Sequence, residues 1–260
     1  MQSCIYCRAR TSRNEPIDHP VPQALGVRES LSKGTVCSGC NLYLSDLDRH
    51  FCNHHHIASM IVFGGLPGTK ARLRKTVAQD FSFDVKKQHA RFFLDSKRAS
   101  FEIQDGHLRI IHPGSNDFDE WKFSRALHRM ALGLLALSSG PEVSLRETFD
   151  LVRAYIRQPS SRSMRPYYQR ITDKTYGNRS LPRALEQRGR YHIALDLAVI
   201  SALVYMNFVV DEFVVALQGE LEPGAQERLD RLALSTGLTP CDLSSRPWAL
   251  LPLERQSEEA

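Results

Sequence analysis

Two cysteine pairs with the same spacing constrain this chain more than any other feature. Cys4 and Cys7 form one C-x-x-C pair, and Cys37 and Cys40 form the second. Each pair makes a tight turn that directs two sulfurs at one point, and two such pairs complete a tetrahedral metal site. Redox or incidental cysteines are the alternative, but the spacing is typical of structural Zn²⁺ sites. The pairs therefore predict a small zinc-stapled unit at residues 1–60, too short to form a core without the metal.

Composition places the chain among ordinary globular proteins. It has 260 residues, of which 42% are hydrophobic and 24% are charged, as is usual for soluble domains. Its longest apolar runs fall short of the roughly 20 residues that a membrane helix needs. The first ten residues contain no apolar segment of the kind found in a secretory signal. We therefore expect a cytoplasmic protein that has no membrane partner.

The charge is distributed unevenly along the chain. The net charge is +5, and basic residues outnumber acidic ones in segments 61–100 and 159–192, whereas the reverse holds for 193–260. Ordinary solvated surface is one explanation for such segments. Two basic segments in one chain also fit a surface that follows the phosphates of a nucleic acid.

Hydrophobic periodicity and turn residues predict an α+β fold. Near the N-terminus they predict short extended segments around Ile17 and around 35–36, then a helix that begins near Asn41. The Gly- and Pro-rich segment 63–75 is the candidate boundary between domains at 1–60 and 61–260. The second domain is expected to be mixed α+β. Its predicted elements are a hairpin around 105–106, a buried helix at about 118–139, an amphipathic helix at 144–158, an irregular basic loop at 159–190, strands within 192–219 that turn near 210, a short helix at 223–237 and a disordered acidic tail.

Three polar residues beside the cysteine pairs suggest chemistry on phosphate. Asp18 and His19 are adjacent, and prolines follow at positions 20 and 22, while Asn41 comes directly after the last cysteine of the second pair. A carboxylate and an amide oxygen are ligands suited to Mg²⁺. An imidazole titrates near neutrality and can deprotonate a water molecule. A divalent metal beside it would stabilise charge on a scissile phosphate.

These residues together resemble the HNH endonucleases, whose fold is the ββα-metal module. The similarity covers 4–51 and is greatest to the subgroup with C-x-x-C, an acid-His pair, and C-x-x-C-N followed by a helix. The resemblance implies that His19 is the general base and that Asp18 and Asn41 bind a catalytic Mg²⁺ or Mn²⁺. It also implies a structural zinc site at the four cysteines and a nucleic-acid substrate, expected to be DNA. A role in bacterial defence against foreign DNA is an extension of the resemblance.

The motif departs from the family pattern at two places. The acid is Asp18, where this subgroup more often has Glu, and Thr35 stands near the position of the middle Asn that braces the hairpin. Asp48 falls two turns along the predicted helix from Asn41, which indicates a structural or phosphate-adjacent role rather than a ligand. The histidine-rich stretch at 50–56 favours a solvated helix end or a contact with phosphate over a second metal site.

Other functions remain open at this stage. A non-catalytic Cys₄ zinc module that binds nucleic acid or protein would need the four cysteines and the basic segments but not Asp18, His19 or Asn41. An RNA-cleaving enzyme with the same site is a third alternative. Residues 61–260 could recognise the substrate, form a homo-oligomer or bind a regulatory partner. Cys52 and Cys241 are expected to be packing thiols.

Overall fold

The chain has a mixed α+β fold in a computed structural model. The structure describes residues 2–25, 29–54, 57, 72–78, 81–86, 89–94, 100–104, 107–111, 119–160, 164, 166–170, 202–208, 211–217, 239–240 and 250–252. Contacts group the chain into two units: Met1–Cys52 with Asp119–Asp242, and Asn53–Gly65 with Thr69–Phe118 and Leu243–Ala260. Domains at 1–60 and 61–260 stay a prediction, and this grouping joins residues from both sides of that boundary.

The N-terminal segment contains little regular structure before its helix. Strands β1 (Gln2–Ser3) and β2 (Arg10–Thr11) pair antiparallel around the first cysteine pair, and a 3₁₀ turn covers Gln23–Leu25. The extended segments predicted around Ile17 and 35–36 are therefore wrong, because the described residues at both places have no strand. Proline lacks the N–H that a sheet ladder requires, and positions 16, 20 and 22 are prolines. Ile17 is 47% exposed.

Helix α1 (Ser38–Asn53) follows the second cysteine pair. It begins three residues before the predicted start, because Glu15 supplies a cap from elsewhere in the chain. The Glu15 carboxylate accepts hydrogen bonds from the Ser38 N–H at 2.8 Å and from the Ser38 hydroxyl at 2.5 Å. Leu44, Leu47 and Phe51 are buried, as their helical spacing predicted.

Helix α2 (Glu120–Ser139) is the centre of the first unit and confirms the helix predicted at 118–139. The Asp119 carboxylate caps it by accepting from the N–H groups of Trp121 and Lys122, both at 2.9 Å. Its side chains are buried on nearly every face from Trp121 to Ala136. Phe123 stacks on Phe51 of α1 with ring centroids 4.7 Å apart.

Short elements and a sheet complete this unit. After α2 come α3 (Pro141–Ser144), a 3₁₀ turn (Glu147–Phe149) and α4 (Asp150–Arg157), so the helix predicted at 144–158 is confirmed only over its second half. The sheet contains β8 (Tyr167–Arg170), β9 (Ala202–Phe208), β10 (Asp211–Leu217) and β11 (Thr239–Pro240), in the order β11-β8-β10-β9. Strands β9 and β10 confirm the predicted strands on either side of position 210. Strand β8 lies within 159–190, where an irregular loop was predicted, so that prediction is wrong at those four residues.

The second unit contains two three-stranded antiparallel sheets. Strands β3 (Arg72–Ala78), β4 (Phe81–Lys86) and β5 (His89–Leu94) form one. Strands β6 (Ser100–Gln104), β7 (His107–Ile111) and β12 (Leu250–Pro252) form the other. Gln104 pairs with His107 across β6 and β7, which confirms the predicted hairpin. The predicted helix at 223–237, the acidic tail and Cys241 lie outside the described residues.

The strands β3, β4 and β5 pair antiparallel in chain order. Arg74 pairs with Asp84 between β3 and β4, and Asp84 pairs with Arg91 between β4 and β5. The register between β3 and β4 shifts after Thr76.

Candidate functional site

The four paired cysteines come together at one point. Their Sγ atoms all lie within 4.8 Å of one another, and the sulfurs of Cys7 and Cys37 are 3.6 Å apart. Four thiolates around Zn²⁺, each with a metal–sulfur bond of about 2.3 Å, are separated by roughly 3.8 Å. This cluster can hold a structural metal ion. Among the described residues, no other group of three or more Cys, His, Asp or Glu side chains is arranged to do so.

Backbone turns at both pairs prepare the sulfurs for a ligand. The Cys4 N–H donates to the Ala9 carbonyl at 2.8 Å, and the Arg8 N–H donates to the Cys4 carbonyl at 2.8 Å. Arg8 has a φ of 61°, the left-handed conformation that closes this turn. In the second pair, the Cys40 N–H points at the Cys37 sulfur at 3.4 Å. These bonds hold the sulfurs in place independently of an ion.

The thiols compete for protons because they are so close. A hydrogen bond with the Cys40 thiol lowers the pKa of Cys4 to about 4, and that same bond raises the pKa of Cys40 well above its ordinary value. Burial raises the pKa of Cys7. Four neighbouring thiolates repel one another, so full ionisation requires a cation at their centre. The donor set therefore fits a divalent, thiophilic metal.

Asp18 is buried and makes an ion pair that the sequence motif did not predict. Its side chain is 2% exposed, and its Oδ1 accepts from Nη2 of Arg129 at 2.7 Å. Burial raises the pKa of Asp18, although the charge of Arg129 opposes that rise. The second oxygen, Oδ2, is also buried and has no hydrogen-bond partner. One carboxylate oxygen is thus engaged, and the other remains available to a ligand.

Arg129 contacts the whole turn that carries Asp18 and His19. Its Nη1 donates to the His19 carbonyl at 2.8 Å and to the Pro20 carbonyl at 2.6 Å. Its Nη2 also lies 3.5 Å from Oδ2 of Asp48 on α1. Arg129 is 1% exposed, and nearby anionic groups raise its already high pKa despite burial. The guanidinium therefore stays charged and joins α2, α1 and the turn.

The His19 ring has a defined orientation. Its Nδ1 lies 3.1 Å from the Glu29 carbonyl, and a carbonyl oxygen only accepts, so Nδ1 carries the proton in the neutral ring. Its Nε2 then has a free lone pair, which accepts from the side-chain amide of Gln23 at 2.7 Å. A ring held in this way presents Nε2 as a base.

Helix α2 approaches the turn closely because Gly133 has no side chain. A Cβ placed at Gly133 would lie 2.9 Å from the Tyr6 hydroxyl and 3.0 Å from Cβ of Pro20. The Tyr6 hydroxyl donates to the Arg129 carbonyl at 3.2 Å. Burial raises the pKa of Tyr6 well above its ordinary value, so the hydroxyl remains protonated and serves as a donor. The first cysteine pair, the Asp18–His19 turn and α2 thus form one packed cluster.

Asn41 lies in the first turn of α1. Its N–H donates to the Cys37 carbonyl at 2.9 Å, which fixes the residue beside the second cysteine pair. Asp48, the α1 residue that lies 3.5 Å from Arg129, is seven positions further along, a rise of about 10 Å. Asp18 therefore meets α1 at Asp48 through Arg129, and its convergence with Asn41 on one metal stays a prediction.

The remaining candidates have structural contacts. His50 lies with its Nε2 3.0 Å from the Asp119 carbonyl at the start of α2. Cys52 is buried, as expected for a packing thiol. The motif reasoning missed Arg129. Arg125 and Arg129, four residues apart within a helix predicted to be buried, were the sequence signal that could have revealed buried ionic partners.

Comparison of the chain with protein-family models, with curated proteins and with solved structures found no match. Within the described residues, none of the helices combines the length and hydropathy needed to traverse a bilayer. The geometry of the cysteine cluster and of the Asp18–His19 turn is therefore the basis for the function considered next.

Proposed function

We propose that the chain is a metal-dependent endonuclease of the HNH type that hydrolyses phosphodiester bonds, with DNA as its substrate. The orientation of His19 carries this proposal, because a main-chain carbonyl occupies Nδ1 and places the basic lone pair on Nε2, where it accepts from the Gln23 amide. The ring lies next to a carboxylate that has one unpartnered oxygen. Both are attached to a turn that packs against the cysteine cluster.

The residues around His19 fit a hard divalent cation. A buried carboxylate oxygen without a partner, such as Oδ2 of Asp18, gains from a cation. Asp18 and Asn41 would hold Mg²⁺ or Mn²⁺, and Cys4, Cys7, Cys37 and Cys40 would hold Zn²⁺. When bound, the catalytic metal would offset the charge that develops on the scissile phosphate.

The protein's own part in the reaction is to position and accept protons. In this proposal Gln23 releases Nε2 of His19, a water molecule takes its place, and Nε2 removes a proton from that water as it attacks phosphorus. The bridging P–O bond of the phosphodiester breaks as the new bond forms, and the departing oxygen takes a proton from solvent. The Glu29 carbonyl stabilises the imidazolium by accepting from Nδ1. The Oδ1 atom of Asp18 stays hydrogen-bonded to Arg129 throughout the reaction.

The basic segment 61–100 supports a nucleic acid as the substrate. Its Lys and Arg residues outnumber its acidic residues by nine to three. A segment of this charge attracts the phosphates of a nucleic-acid backbone and releases their counterions.

A plasmid-cleavage assay with Mg²⁺ or Mn²⁺ tests the proposal. We expect the wild-type chain to cut or nick the plasmid. We expect cleavage by His19→Ala to be at least about 100-fold slower, because a general base typically contributes at least that factor to the rate. Zinc content and far-UV circular dichroism of both proteins control for folding. Equal cleavage by both, or none by the wild type with every metal, would exclude the enzyme. Parallel RNA substrates decide between DNA and RNA.

A second function, a non-catalytic Cys₄ zinc module that binds nucleic acid or protein, is favoured by one observation. The Asp18 side chain is 2% exposed and already ion-paired with Arg129, as a purely structural carboxylate would be. In that case nucleic acid binds without metal-dependent cleavage, and His19→Ala leaves the affinity unchanged.

A further inference from the structure

Arg129 donates to three groups of one short turn. Its guanidinium reaches the Asp18 carboxylate at 2.7 Å, the His19 carbonyl at 2.8 Å and the Pro20 carbonyl at 2.6 Å. Two consecutive carbonyls bound by one rigid planar group fix the direction of the chain between them. The His19 side chain is attached to this part of the backbone. By fixing the backbone, the guanidinium therefore fixes the point from which the His19 ring extends.

The guanidinium also determines which oxygen of Asp18 remains free. Because Nη2 engages Oδ1, Oδ2 is the oxygen left without a partner. A lysine could neutralise the carboxylate, but its single ammonium group lacks the planar fork that reaches two carbonyls and a carboxylate together. The geometry is thus specific to arginine.

An arginine elsewhere on α2 shows that burial alone does not produce this arrangement. Arg125 lies one turn earlier and is 1% exposed, as is Arg129. It donates to the Trp121 carbonyl at 3.3 Å and to the Tyr43 hydroxyl at 3.2 Å. These contacts do not include the 18–20 turn. Arg125 is therefore a matched comparison for the general cost of changing a buried arginine in this helix.

We propose that Arg129 is a positioning residue of the nuclease site, which holds the His19 backbone and the free oxygen of Asp18 in place from α2. This rests on the proposed function. It means that the site is completed by a residue that follows His19 by 110 positions in the chain. The N-terminal motif supplies the reactive groups, and α2 supplies their alignment.

The test compares Arg129→Lys with Arg125→Lys in the full-length, zinc-loaded chain. For Arg129→Lys we expect kcat for plasmid cleavage to fall about 100-fold, the cost of misplacing a reacting group by about 1 Å. Its KM is expected to stay within about twofold, because the substrate-binding surface is unchanged. Arg125→Lys keeps the wild-type kcat at temperatures where both variants are folded. A loss of kcat that is equal in both variants would overturn the proposal.

A spectroscopic readout does not depend on activity. The ¹⁵N shifts of the His19 ring report which nitrogen carries the proton, and the wild type is expected to show Nδ1–H. In Arg129→Lys this signature is expected to weaken toward a mixture of tautomers, and in Arg125→Lys to persist. An unchanged signature in Arg129→Lys overturns the proposal. A wild type that does not cleave refutes the proposed function, while the tautomer still decides whether Arg129 orients His19.

Two further measurements apply where Arg129→Lys does not fold. The same substitution in the Asp48→Asn background removes one buried charge and leaves the lysine a single carboxylate to pair with. In the wild-type chain itself, the Nη protons of Arg129 are expected to give separate, slowly exchanging signals, because three acceptors hinder rotation of the guanidinium. Averaged, rapidly exchanging signals would overturn the proposal without any substitution.

Discussion

At the scale of single residues, Asp48 gives the stability of this chain a dependence on pH. Burial raises the pKa of Asp48 from 3.8 to about 6, against the opposing charge of Arg129. The folded chain then binds this proton more tightly than the unfolded chain does. The contribution of Asp48 to the free energy of unfolding therefore falls as the pH rises from about 4 to about 6, and it stays low at higher pH.

This dependence can be isolated with Asp48→Asn. The stability of the variant relative to the wild type is expected to increase across that pH range by up to about 3 kcal/mol, the value of a shift of roughly two pKa units. Urea unfolding of both proteins at several pH values measures the difference in their free energies of unfolding. Effects of acid on the cysteine cluster cancel in this difference, because both proteins contain the cluster. A difference that is constant with pH would contradict the assignment.

The sulfurs of the cysteine cluster give a second prediction for single residues. Cys37→Ser removes one of four ligands, so we expect bound zinc, measured by mass spectrometry of metals, to fall from about one ion per chain toward none. Cys52→Ser changes a buried cysteine outside the cluster and is expected to keep the ion. Retention of zinc by Cys37→Ser would mean that the metal has another ligand set.

At the scale of elements, the contact between α2 and the Asp18–His19 turn depends on Gly133. Gly133→Ala would place a Cβ 2.9 Å from the Tyr6 hydroxyl and 3.2 Å from Cα of Pro20. We expect the free energy of unfolding to fall by about 1–3 kcal/mol, which is the usual cost of overpacking a buried site. Gly39→Ala is the control, because a Cβ there meets no atom within 4 Å. This variant is expected to raise the free energy of unfolding by roughly 0.5 kcal/mol. Thermal unfolding of both variants shows whether the effects have opposite signs.

The basic segment 61–100 makes a prediction about salt dependence. Arg74 and Arg91 both pair with Asp84 in the register of the sheet, one from β3 and one from β5. If both contact phosphates, Arg74→Gln with Arg91→Gln weakens DNA binding and reduces the slope of log K against log salt by about 1.8. Arg74→Gln alone is expected to reduce the slope by about half as much. An unchanged slope in the double variant would exclude these two arginines as phosphate contacts.

Local patterns predicted some elements and misplaced others for identifiable reasons. The helices around Leu44 and Leu127 were predictable because their apolar spacing is a property of adjacent turns. The strand expected at Ile17 did not form, since neighbouring prolines remove ladder donors. Two arginines within a predicted buried helix signal that ionic partners exist, but the pairing of Arg129 with Asp18 could not be predicted, because a local motif carries no information about which residue 111 positions away is the partner.

At the scale of the whole molecule, the N-terminal segment depends on α2. Pro20, Asp18 and Tyr6 all contact α2 residues. A fragment of residues 1–60 would retain the four cysteines but lose Arg129, leaving a buried carboxylate unpaired. We expect the zinc-loaded fragment to unfold without a cooperative transition, whereas the full chain unfolds cooperatively. A fragment with the same His19 resonances as the full chain would show that the N-terminal segment folds alone.

The cap on α1 has a consequence for how an anion can approach. The exposed start of a helix normally attracts phosphate through its free N–H groups and its dipole. Here the Glu15 carboxylate already occupies the Ser38 N–H, and the hydrogen bonds from Ser38 lower the pKa of Glu15, so it remains ionised. An anion that approaches the second cysteine pair from this end of α1 therefore meets the negative charge of Glu15. In the proposed enzyme, the attraction for a scissile phosphate would have to come from a metal held by Asp18 and Asn41, because the terminus of α1 does not supply it.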